Sequence, residues 1–236
     1  MINEELDARW AEVHDALELG EFGRAELLID ALADELGDDE PEILYERAVL
    51  AWEARGPEAA IPLLDELLRS EPEHADAHYA RGLACEAVDD EQGKILHFLE
   101  VLRLDALIAK EQELGTEEDL DFIETTAEDV LARVPVEFRE HLRNVPIVLE
   151  ERPHPAIVRE GFDPRALGLF EGLEHSRAES SEPALAPTRI VLFHGNLLAD
   201  FADRDQLAEE IEITMLHEIG HFFGLDEDDV ERLGLE

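Results

Sequence analysis

ITMLHEIGHFFGLDEDDV, residues 213–230, is the stretch on which the reading of this chain turns. It closes DRDQLAEEIEITMLHEIGHFFG, which predicts a long helix with an aspartate near its start and Gly224 just past its end. On a helix, positions four apart lie on one face, about one turn from each other. His217 and His221 therefore point the same way, and both imidazoles can reach one zinc ion. Glu218 follows the first histidine directly. Its carboxylate sits beside such an ion, placed to take a proton from a water.

Two histidines and a base leave one ligand wanting. A glycine at a helix C-terminus can adopt the left-handed conformation and turn the chain back sharply. The side chains that follow Gly224 are Leu225, Asp226, Glu227, Asp228 and Asp229, so a carboxylate is available to complete the site. From 217 to 227 the string reads H-E-x-x-H-x-x-G-x-x-E. In zinc proteases with the longer H-E-x-x-H-x-x-G-x-x-H pattern the last position is the third ligand, and here Glu227 occupies it. Asp226 and Asp228 are close rivals, because spacing alone does not separate them.

Upstream of that helix, the sequence alternates between short strands and loops. RIVLFHG reads as the clearest strand, placed to pair with the backbone of an extended peptide. NVPIVLEERP and LGLFEGL read as two more short strands. SRAESSEPALAPT reads as a loop, as do residues 153–165. A helix over 117–133, capped by TEED, and one or two turns in EFREHLRN precede them. Strands followed by a helix make this half α+β.

The first half has a different pattern. Residues 4 to about 110 read as helix after helix, with breaks at Gly20, Gly37 to Pro41, Gly56-Pro57, Pro72 and Asp89-Asp90. A period of 34 residues relates Tyr45 to Tyr79, Ala48 to Gly82, Leu67 to Val101, and Leu27 to Ile61 to Ile95. RAELLIDAL, EAAIPLLDEL and GKILHFLEVL align in register. Paired helices at this period, about three pairs over residues 7 to 109, resemble tetratricopeptide repeats, which stack into a solenoid. Trp10, Trp52, Tyr45, Tyr79 and Cys85 are expected to pack in that core. The join near residues 110 to 118 has no Gly/Ser/Pro-rich tether, so a continuous helical connection is expected.

Composition narrows the function. There are 61 acidic against 19 basic residues, a formal net charge of −42. Such a surface repels nucleic acid and anionic membranes, and it suits a basic partner or substrate as well as plain solubility. Lys94 and Lys110 are the lysines; the other basic side chains are arginines. A single cysteine, Cys85, excludes an intrachain disulfide. MINEELDARW lacks the basic and apolar regions of a secretory signal, and no apolar run is long enough to span a bilayer. A cytoplasmic protein is expected.

From about residue 117 to 236 the chain resembles the zincin-like metallopeptidase family, the minimal zincins. VPVEFREHLRNVPIVLEERP, GLFEGL, PTRIVLF and TMLHEIGHFFGLDEDDVERLG follow in the family's order, and the last is the specific part. The resemblance implies zinc held by His217 and His221, with Glu218 as catalytic base. Its third-ligand position, usually aspartate, matches Glu227. Where an aromatic–basic pair such as Tyr-Arg is usual, this chain has Phe193-His194. Either His194 or His175 could stabilise an oxyanion, but nothing in the sequence ties them to the motif, and they read as packed or solvent-facing.

The expected architecture is α+β overall. A helical-repeat domain occupies residues 1–115 and a small zincin-like domain residues 116–236. The expected function is zinc-dependent peptide hydrolysis, with the repeats recruiting a protein partner or substrate. The alternative is an interaction scaffold with a structural or vestigial metal site.

Overall fold

Glycines and prolines punctuate the first half, and the helices stop where they fall. In the computed structural model, which describes residues 2–172 and 188–225, α1 spans Ile2–Glu18, α2 Phe22–Leu36, α3 Pro41–Arg55, α4 Pro57–Ser70, α5 Ala75–Ala87 and α6 Glu91–Glu111. Pro41 and Pro57 open their helices at the first position, where the missing N–H costs nothing. Gly20, Gly37 and Gly56 carry the positive φ angles of the turns.

The chain forms two units, one of residues 1–105 with 155–162, the other of residues 106–154 with 163–236. In the first unit, successive helices pack on one another. Val13, Ile29, Leu32 and Ile43 form one buried cluster, and Leu44, Ala48, Leu64 and Leu67 form the next. The small residues expected inside first helices serve close packing. Ala48 is buried, and a Cβ on Gly82 would stand 2.5 Å from ring atoms of Phe98. The periodic column Leu27, Ile61 and Ile95 lies further out, and Leu27 is 71% exposed. Cys85 is fully buried, and Tyr79 stacks on Phe98. Trp52 is half-buried and lines a groove of about 240 Å³ with Ala48, Val49, Ala60 and Leu64. Pro155–Val158, read from sequence as loop, forms a short helix, α9, within this unit.

The second unit begins with a correction. No continuous helix bridges residues 110 to 118. Helix α6 ends at Glu111, Glu113 and Gly115 take positive φ, and α7 starts afresh at Glu117 and runs to Arg133. The reason is local. Thr116 accepts from Asp119 N–H while the Asp119 carboxylate accepts from Thr116 N–H, a complete capping box that fixes a new start. Helix α8 follows at Val136–Leu142. The strands are β1 (Ile147–Glu150), β2 (Gly168–Glu171) and β3 (Arg189–Phe193); helices α10 (His194–Asp200) and α11 (Arg204–Phe222) complete the described chain. SRAESSEPALAPT lies outside the described residues except for Thr188.

The sheet order is β1-β3-β2, with β3 parallel to β1 and antiparallel to β2. Side chains alternate between faces. Ile147, Leu149, Ile190, Leu192 and Phe170 share one face and join the core built on α7 and α11, with Ile123, Ile211 and Met215. The other face carries Arg189, which pairs with Glu150 at 2.8 Å and Glu171 at 2.6 Å, tying both outer strands to the middle one. A second correction follows from the order. RIVLFHG, expected to receive a peptide backbone, supplies the central strand, and its backbone groups are already taken on both sides. It also ends at Phe193, because His194 opens a helix.

Candidate metal centre

Helix α11 carries the HEIGH motif and is held at both ends. The Asp203 carboxylate accepts from Asp205 N–H and Gln206 N–H at the start. At the end, Gly224 has φ +78°, Leu225 N–H donates to Gly220 C=O at 3.1 Å, and Gly224 N–H donates to His221 C=O at 3.0 Å. That is a Schellman closure, the left-handed turn expected of Gly224. Asp226, Glu227 and Asp228 lie outside the described residues, and so does His175.

His217 and His221 meet on one face. Their Nε2 atoms are 2.9 Å apart, with ring centroids 4.5 Å apart. Two Zn–N bonds of about 2.0–2.1 Å in tetrahedral geometry would set the nitrogens roughly 3.3 Å apart. The rings need to open by only a few tenths of an ångström. Neutral imidazole is also a donor zinc accepts readily. The residues present therefore fit zinc. Among the described residues no group of three His, Cys, Asp or Glu side chains forms.

Glu218 is 6% exposed. It is covered by β2, at a residue that sequence reading did not single out. Gly168 lies on the helix-facing side of the sheet. A Cβ there would stand 2.6 Å from Thr214 Cγ2 and 3.1 Å from Glu218 Cγ and Oε1. The glycine thus lets the β2 backbone lie against the carboxylate. Its loop is fixed by Asn196, 2% exposed, whose Nδ2 donates to Pro164 C=O at 3.0 Å and Ala166 C=O at 2.7 Å, while Oδ1 accepts from Arg152. A glycine inside the predicted strand LGLFEGL was the available signal for this approach. Asn196 carried none.

The other histidines sort by packing. His194 lies against Gly115, where a Cβ would stand 3.1 Å from its ring. Burial pushes its pKa down, and nearby Arg152 adds to this, against the pull of Glu151 and Asp119. His74 caps α5, and His14 pairs with Glu46. His78 and His97, with no ligand spacing between them, nevertheless meet at 2.9 Å between Nδ1 atoms, while His78 Nε2 lies 3.0 Å from Pro72 C=O.

Comparison with known families agrees with this architecture. The model of the zincin-like metallopeptidase family matches residues 142–235, and that of the tetratricopeptide repeat matches residues 45–106. The chain carries a zincin-like metallopeptidase domain preceded by tetratricopeptide repeats. No curated protein matches it. Among the described residues no helix is long and apolar enough to cross a membrane.

Proposed function

We propose that this protein is a zinc-dependent peptidase in which His217, His221 and Glu227 hold the metal and Glu218 is the general base. The observation that carries this reading is the convergence of the two Nε2 atoms at 2.9 Å beside a buried glutamate. Zinc, when bound, supplies the Lewis acidity that brings a water's pKa toward neutrality and polarises a peptide carbonyl. Glu218 accepts the proton of the attacking water and returns it to the leaving amine. Its burial against Gly168 restricts the carboxylate to few orientations.

Strand β2 presents the substrate. Leu169 faces Val191 in the ladder, and Phe193 N–H donates to Leu167 C=O. By alternation, Gly168 and Phe170 turn their backbone groups to the outer edge of β2. An extended peptide pairing there runs past Glu218. The tetratricopeptide repeats recruit a protein partner or substrate, and the groove beside Trp52 offers an apolar seat. The overall negative charge favours basic segments.

The test is zinc per chain after brief dialysis against a weak chelator. His217→Ala/His221→Ala serves as control, because an acidic surface gathers divalent ions. One zinc in the wild type and none in the control is expected. Glu218→Gln is then expected to keep zinc and to lose hydrolysis by at least about a hundredfold. Equal metal in both chains overturns the site. A zinc-loaded wild type that holds a partner uncleaved favours a binding scaffold.

A further inference from the structure

We propose that the groove between α7 and the open edge of β1 is a docking site for a basic, extended peptide segment, at the opposite edge of the sheet from β2. This does not depend on whether Glu218 catalyses hydrolysis. The groove measures about 640 Å³. Leu120, Leu131, Ile147 and Leu149 give it an apolar floor. Its rim is Glu117, Asp121, Glu124 and Glu128, all exposed. Those four follow at spacings of four, three and four, one stripe of the helix. The arginines that meet α7 bind off the stripe: Arg204 pairs with Asp119, Arg139 donates to Ala132 C=O at 2.6 Å, and Arg133 of α7 itself reaches Glu212 at 2.8 Å. None of the stripe carboxylates pairs with a cation among the described residues.

The edge supplies what the rim lacks. Ile190 N–H donates to Pro146 C=O, which sets the parity of the parallel ladder. Val148 and Glu150 then face β3 with their backbone groups, and Ile147 and Leu149 turn theirs outward. Among the described residues no strand pairs with that edge. An added strand would satisfy those groups and turn alternate side chains toward α7, where apolar ones meet the floor and arginine or lysine meets the carboxylates. An acidic or neutral strand would leave the stripe unpaired, so the occupant is basic.

The probe is a fluorescent ten-residue peptide whose odd positions carry valine and arginine in turn and whose even positions carry threonine, added to the full chain carrying Glu218→Gln so that hydrolysis is silenced. Saturable binding is expected, with new hydrogen-exchange protection at the Ile147 and Leu149 amides. Asp121→Asn/Glu124→Gln/Glu128→Gln should weaken binding about tenfold, and Glu118→Gln/Asp129→Asn, off the groove, less than about twofold. Equal loss in the two variants would mean bulk charge alone and overturn the proposal. So would protection at Gly168 and Phe170 in place of β1, or undiminished affinity of a peptide N-methylated at alternate amides. Self-association of the chain, relieved by the groove substitutions, would assign the groove to a second copy instead.

Discussion

Gly168 has no side chain, and two neighbours use the space. Overfilling a packed site typically costs 1–3 kcal/mol, and the Cβ of Gly168→Ala would meet Thr214 at 2.6 Å. Gly168→Ala is therefore expected to destabilise the chain by about 1–3 kcal/mol in urea titration. It should also reduce hydrolysis by displacing Glu218, while zinc content stays at the wild-type level. Unchanged activity would show that the β2 backbone does not position the carboxylate. Asn196 acts through the same strand, since it grips the carbonyl of Ala166 two residues before the glycine.

Helix α11 is an element with two separable ends. Its start rests on the Asp203 carboxylate, and removing such a cap costs about 1 kcal/mol. Its end rests on Gly224 at φ +78°, where a Cβ costs about 1–2 kcal/mol. The two losses are similar in stability but differ in consequence. In the proposed site, only the glycine bears on the carboxylates that follow it in sequence, Asp226, Glu227 and Asp228. Asp203→Ala should lower the urea midpoint and leave zinc affinity unchanged. Gly224→Ala should lower the midpoint and weaken zinc as well, read by competition with a chelator. Equal zinc affinity in both variants would remove the downstream carboxylates from the site.

Over the whole molecule, acid stability reports a contact between helices α5 and α6. Burial lowers the His97 pKa from 6.5 to about 4, with His78 and Arg81 adding to this against Asp65 and Asp90. The unfolded chain takes up this proton near pH 6.5 and the folded chain only near pH 4. The stability gained from a neutral His97 is thus complete above pH 6.5 and is lost as pH falls from 6.5 toward about 4. Glu100, whose pKa the Arg103 hydrogen bond holds below its ordinary 4.5, adds stability that is lost as pH falls below 4.5. Urea midpoints of His97→Gln should fall less than those of the wild type across that window. Parallel curves would show that His97 does not set the acid limit.

The sequence by itself determined the helices and the motif. Each break from Gly20 to Asp90 lies in a few neighbouring residues, because backbone freedom at glycine and the missing N–H of proline act locally. HEIGH was legible for the same reason: one helical turn places both histidines without help from the rest of the chain. The capping of α7 was legible as TEED, and its consequence is the break after α6. Tertiary structure alone decided the strand order, since a five-residue strand has no local mark of being central or outer. It put Gly168 on Glu218 and His78 on His97, pairs separated by 50 and 19 residues. It also placed Pro155–Val158 with the first unit. Those outcomes depend on which faces bury together, and burial is a property of the assembled chain.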